Sequence, residues 1–217
     1  MGNTVKRVLF VNSEITPYLP ETEISKIGRY LPQGIQERKK EIRSFMPRYG
    51  CINERKNQLH EVIRLSGMNI IINDVDRPLV IKVASISAAR MQVYFIDNED
   101  YFHRKSIYCD ESGKFFEDNC ERAIFFARGV LETVKKLRWA PDVIHCQGWI
   151  SQILPLYLKK AYIEKLRFYI SGENLFTITK YSGTDPEFSR SSPLDTGIDS
   201  YIFPFTRSFT VGAQLTF

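Results

Sequence analysis

Residues 5–12, VKRVLFVN, form a compact apolar run with β-branched side chains, closed by Ser13 and Glu14. Such a run reads as a parallel strand buried on both faces. Residues 21–40, ETEISKIGRYLPQGIQERKK, follow with Ile24, Ile27, Tyr30, Leu31 and Ile35 at helical spacing. Acids open that segment and bases close it, as a helix dipole prefers. Pro32 is expected to kink or interrupt the helix, because it lacks an amide hydrogen. Residues 41–47, EIRSFMP, alternate and read as a second strand. Strand, helix and strand in that order are a βαβ unit, which directs the chain toward an open, mostly parallel α/β sheet.

The rest of the first part fits that sheet. Candidate strands run over 61–65, 68–72, 79–87 and 90–96, broken by Gly67 and the turn-like Asn73-Asp74-Val75-Asp76. The polar stretch 97–119 reads as a surface loop. Residues 118–138 return to helical period through Ile124, Phe125, Ala127, Val130, Leu131, Val134 and Leu137, with Asp118 or Asn119 as N-cap. Residues 142–146, DVIHC, are another buried strand ended by Gly148, and 149–162 begin a further helix.

The pattern changes near residue 163. LRFYISGENLF (166–176) and SFTVGAQLTF (208–217) alternate with period two, separated by a Gly/Ser/Pro/Asp-rich loop. In the second segment Phe209, Val211, Ala213, Leu215 and Phe217 share one face. Two readings fit: an amphipathic hairpin packed on the first domain, or strands of a membrane β-barrel. Charge changes at the same place. Residues 163–217 hold five Lys and Arg against six acids, whereas 1–162 carry net +6, all four cysteines and all three histidines. The expected domains are therefore 1–162 and 163–217.

Composition narrows the function. A moderately basic first part suits a nucleotide or phosphate. Its cations are interleaved with acids, which argues against nucleic acid. The start ends its apolar run without a small-residue cleavage site, so a cytoplasmic protein is expected rather than an exported one. No apolar run reaches 18 residues, so no transmembrane helix is expected. Cys51, Cys109, Cys120 and Cys146 lack metal-ligand spacing, so reduced thiols, no metal and no cofactor are expected.

Several dispersed blocks resemble the N-terminal domain of bacterial glycogen synthase, also called starch synthase. They are VLFVNSEITPYLP (8–20), EIRSFMPRYG (41–50), VYFIDNEDYFHR (93–104), FFEDNCERAIFFARGVLE (115–132) and PDVIHCQGW (141–149) with LPLYLKK (154–160). The resemblance implies the Rossmann-like N-terminal half of a GT-B glycosyltransferase. That family transfers glucose from ADP-glucose to an α-1,4-glucan with retention, and its N-terminal domain mainly holds the glucan acceptor. The Lys, Arg and Glu that bind the leaving diphosphate belong to its C-terminal domain, so an incomplete domain, inactive alone, is expected. No catalytic residue is assigned within this chain.

Two family motifs are altered. The K-T-G-G-L loop is replaced by Pro20-Glu21-Thr22-Glu23-Ile24, which loses a cation and adds two acids. The H-x-H-D-W-H motif reads His145-Cys146-Gln147-Gly148-Trp149-Ile150, so its aspartate position is Gly148 and its last histidine position is Ile150. Glu14, His145 and Trp149 remain as candidate substrate-binding residues, because they follow or end strands where parallel sheets bind ligands. For His145 and Trp149 the alternative is packing at a strand end. Lys26 and Arg29 lie near the altered loop as candidates to replace the lost cation, with a solvated helix face as the expected role. Asp97, Glu99 and Asp100 resemble paired acids without an oriented base.

The tail resembles a different class. RFYISGENLFTITKYSGTDPE (167–187) and the ending GID…FPFTRSFTVGAQLTF are similar to the last strands of a TonB-dependent outer-membrane receptor of the SusC type. Two strands do not close a barrel, so the tail is expected to be a receptor fragment carried on the first domain, the two together a chimera without joint function.

Overall fold

A computed structural model describes residues 5–162, 165–173 and 208–216, with only the backbone described from residue 160 onward. The loop expected between 177 and 207, and Phe217, lie outside the described residues. The chain divides into two units, residues 1–168 with 213–217, and residues 169–212.

The first unit is a mixed sheet with helices on both faces. In chain order its elements are β1 (Arg7–Asn12), α1 (Glu23–Glu37), β2 (Glu41–Pro47), β3 (His60–Glu61), β4 (Met68–Ile72), β5 (Val75–Ile86), β6 (Met91–Asp97), α2 (Glu99–Phe102), α3 (Asn119–Lys136), β7 (Val143–Gln147) and α4 (Leu154–Tyr162). Strands β8 (Lys165–Glu173) and β9 (Ser208–Thr216) follow. The parallel core runs β6-β2-β1-β7, with Val8 opposite Ile42 on one side and Val143 on the other. β5 pairs antiparallel with β6, β3 and β4 with β5, and β9 joins β7 through Ala213 opposite Ile144.

Strand alternation decides what each helix covers. Leu9 and Ile144 face Leu131 and Val134 of α3 and Leu158 of α4. Val8, Phe10, Val143 and His145 face the other way, toward Leu31 and Ile35 of α1. Near α3, Gly129 lets the helix sit against Leu79 and Ile96, where a Cβ would come within 3.2 Å of Leu79 and 3.0 Å of Ile96. Phe45, Met46, Phe95, Phe125, Phe126 and Val130 complete a core closed to water.

Five expectations are corrected. Pro32 does not interrupt α1, which runs through to Glu37; its ring is buried, and the helix gives up only the amide bond to Gly28. Only part of the apolar stripe of α1 faces the sheet: Leu31 and Ile35 lie over Val8 and Phe10, whereas Ile27 is 46% and Tyr30 60% exposed. The buried face is Ser25, Gly28, Arg29 and Pro32, which has helical spacing of its own. Gly28 explains the choice, since a Cβ there would lie 2.5 Å from the Glu14 carbonyl oxygen and only a bare backbone fits. The strand expected over 61–65 stops at Glu61, and Ile63 is exposed. In the hairpin between β4 and β5 only Asn73 and Asp74 turn, both with positive φ, and Val75 and Asp76 are already in β5. Finally, 97–119 is not all loop, because Asn98 caps α2 by accepting from the Tyr101 amide at 3.1 Å, and Tyr101 and Phe102 are buried.

Candidate functional site

The C-terminal ends of β1, β2 and β7 are brought side by side by their parallel pairing. Each strand is followed by a residue that turns into the same region: Glu14 after β1, Tyr49 after β2 and Trp149 after β7. This is where open α/β sheets bind ligands.

Glu14 is held by α1. The Thr22 hydroxyl donates to Glu14 Oε2 at 3.0 Å. The same hydroxyl accepts from the Ser25 amide at 3.0 Å, and the Ser25 hydroxyl accepts from the Thr22 amide at 2.8 Å, a reciprocal capping box. The helix start is thus satisfied from within and has acids at Glu14, Glu21 and Glu23. The two residues considered as a replacement cation are otherwise engaged. Lys26 pairs with Glu23 at 3.8 Å, and Arg29 is not on a solvated face but buried, donating to Gln33 at 2.6 Å.

Trp149 begins a single 3-10 turn after Gly148. The indole is half-buried, and its Nε1 has no partner among the described residues. Gly148 has φ +84° and ψ 167°, a conformation open essentially to glycine, and a Cβ there would overlap the Ser13 side chain. An aspartate does not fit at this position without moving the end of β1. His145 goes elsewhere. It lies on the α1 face of the sheet with its ring 5.4 Å from Phe10, and burial lowers its pKa. The structure therefore brings Glu14 and Trp149 to one end of the sheet and leaves His145 in the trough beside α1.

Two residues not singled out from the sequence complete the site. Arg122 of α3 is fully buried. Its Nε donates to the Tyr101 carbonyl at 2.8 Å and Nη1 to Asn119 Oδ1 at 2.6 Å, while Nη2 has no partner among the described residues. The guanidinium stands 5.7 Å from the Trp149 ring, 5.6 Å from Phe102 and 5.3 Å from Phe116. Tyr49 is buried, its hydroxyl unpartnered among the described residues; burial pushes its pKa up, with the Arg122 charge acting against that and the Glu14 charge with it. Asn12 and Ser13 add further buried polar atoms without partners. Buried polar groups are normally satisfied, so such a collection at a strand end marks a site built for something besides stability.

The remaining candidates are structural. Asp118 stands at the N-cap position of α3 without a side-chain cap and instead accepts from Arg104 at 2.7 Å. Asp97 is buried and paired with Lys82 at 2.9 Å, with His103 Nε2 3.3 Å away. Asp100 pairs with Arg77, and Glu99 opens α2. Among the described residues no His, Cys, Asp and Glu side chains cluster as metal ligands.

Comparison with known proteins agrees with this picture. The family model for the starch synthase catalytic domain matches residues 7–191. The glycogen synthase of Chlorobium limicola is 40% identical over 173 residues, covering 79% of this chain and 35% of the relative. That of Chlorobaculum tepidum is 38% identical over 157 residues, covering 72% and 32%. The chain thus spans about a third of the length of the curated relatives it matches. Among solved structures, the catalytic domain of starch synthase IV from Arabidopsis thaliana, bound to ADP and acarbose, superimposes with a TM-score of 0.60 at 18% identity, covering 73% of this chain and 31% of that one. That likeness establishes the fold.

Proposed function

The chain belongs to the starch synthase catalytic-domain family, and from that premise we propose that it carries the α-glucan-binding part of a glucosyltransferase that uses ADP-glucose. The observation that carries the reading is the convergence of Glu14, Tyr49, Arg122 and Trp149 on the ends of three parallel strands. A half-buried indole offers a sugar ring an apolar face, and a carboxylate at the same end of the sheet accepts hydroxyl hydrogens. Trp149 and Glu14 are the acceptor contacts. His145 supports the sheet beneath them.

Transfer itself needs groups that neutralise a leaving diphosphate. The start of α1, capped by its own side chains and bearing Glu21 and Glu23, is poorly suited to that task. The 217 residues by themselves are therefore expected to bind glucan weakly and not to turn over ADP-glucose. Affinity electrophoresis in glycogen-containing gels tests the first half: retardation is expected, with Trp149→Ala abolishing most of it. Unchanged mobility of that variant would remove Trp149 from the site. Robust glucose incorporation from ADP-glucose by this chain would overturn the second half.

For residues 163–217 we propose a separate origin as a receptor-barrel fragment, the whole being a chimera and cytoplasmic. The support is the switch to period-two alternation and to strands at 165–173 and 208–216. Against it stands the family match, which runs past that boundary to residue 191. No helix among the described residues is long and apolar enough to cross a membrane. Cell fractionation decides the location: recovery in the cytosol is expected, and sedimentation with outer membranes would refute it.

A further inference from the structure

Among the described residues, Arg122 is a buried cation without a carboxylate of its own. Asp118, whose charge acts on it, is engaged by Arg104. Burying a charge against neutral acceptors is costly, and burial accordingly lowers its pKa. A leucine or methionine would fill the same space at lower cost, so core packing alone does not account for a guanidinium here.

What the guanidinium does is fix geometry. Nε is tied to the backbone entering the end of α2 through Tyr101, and Nη1 to the first residue of α3 through Asn119. Those two bonds set the plane of the fork, and three aromatic rings are gathered around it: Phe102 of α2, Phe116 of the loop before α3, and Trp149 after β7. Of the three, Trp149 is the one that belongs to the candidate acceptor site; it is half-buried and follows Gly148. An indole receives a sugar ring well only if it is already held in place, because ordering it on binding subtracts from affinity.

We propose that Arg122 is a positioning residue for Trp149: its guanidinium, oriented by Tyr101 and Asn119, backs the indole and pre-organises it for a sugar ring. Its role as a support for the ring follows from the geometry alone, whereas its effect on glucan affinity rests on the reading of Trp149 as an acceptor contact given above.

The test uses the full chain with Trp139→Phe, which leaves Trp149 as the single tryptophan. Arg122→Met, Arg122→Lys and Asn119→Ala are compared with that parent by emission wavelength, acrylamide quenching and titration with maltoheptaose. Arg122→Met is expected to red-shift the emission, raise quenching and weaken maltoheptaose binding about ten-fold. Arg122→Lys keeps the charge but not the two-point attachment, so its quenching should fall between parent and Arg122→Met. Asn119→Ala should shift quenching in the same direction by less. A folded Arg122→Met protein with the parent's emission and quenching would overturn the proposal. Should Arg122→Met fail to fold, Asn119→Ala decides by the same measurement, and parental quenching there would overturn it equally. If the parent binds no maltoheptaose, the acceptor reading fails, while emission and quenching still decide the role of Arg122.

Discussion

Gly148 illustrates how one residue fixes what the site is able to become. It occupies the aspartate position of the family motif, which invites the idea that restoring the acid restores the site. The backbone forbids it, because φ +84° with ψ 167° is strained for any side chain and the Cβ would run into Ser13. Gly148→Asp is therefore expected to cost about 2 kcal/mol or more of folding stability, from backbone strain and overpacking together. Urea denaturation measures it, and a variant as stable as the parent would show that the end of β1 yields easily. The position of Glu14 and Trp149 just past strand ends is legible in the sequence, because each follows an apolar run in an α/β pattern. Arg122 and Tyr49 are not. Arg122 reads as one more polar helix residue unless its phase is noticed: it shares a face with Phe126 and Gly129, so a charge sits where the helix buries. Nothing in the sequence marks Tyr49 as unpartnered, since that depends on what α3 brings near it.

At the scale of elements, α1 shows the limit of periodicity. Two sets of positions have helical spacing, one large and apolar, the other Ser25, Gly28, Arg29 and Pro32. Hydrophobicity picks out Leu31 and Ile35, which meet the sheet, but not the more deeply buried set, because the decisive quantity there is how closely the helix backbone approaches the Asn12–Glu14 loop. Strand β1 is readable for the opposite reason: buried on both faces after Arg7, it has no choice of face to get wrong, whereas β2 is read from its alternation. The four-residue α2 was missed because one turn carries no period, although the adjacent Tyr101 and Phe102 betray burial. Thr22 links this element to the site, since one hydroxyl serves both the α1 cap and Glu14. Thr22→Ala should lower stability by about 1 kcal/mol and release Glu14, whereas Thr22→Ser should keep both bonds and most of the stability. Chemical denaturation of the two variants side by side checks this. Equal losses would mean that the methyl group, not the hydroxyl, matters.

Across the whole molecule the ionisable groups predict a stability curve with two acid limbs. The first belongs to His145. Burial lowers its pKa, so the folded protein keeps the imidazole neutral while the unfolded chain titrates near its ordinary value of about 6.5. As pH falls through that value the unfolded state takes up a proton that the folded state does not, and stability falls until the lowered folded pKa is passed. The second limb belongs to carboxylates spread over the sheet. Burial raises the pKa of Glu54 and Asp118, but hydrogen bonds from Lys82 and Arg48 to Glu54, and from Arg104 to Asp118, outweigh it and leave both lowered. Asp142 is lowered chiefly by the amides of Lys6 and Arg7, which donate to it at 2.7 and 2.9 Å. A carboxylate with a depressed folded pKa contributes stability above its unfolded value near 4, and that contribution disappears as pH falls through the folded value. Urea midpoints measured at pH 7.5, 5.5 and 3.5, values of about these magnitudes bracketing the two unfolded pKa values, should therefore decline twice. His145→Phe, which keeps the packing against Phe10, should flatten the first decline and leave the second. Asp142→Asn should reduce the second and leave the first. A His145→Phe protein that still loses stability between the upper two pH values, to the same extent as the parent, would assign that limb to another group.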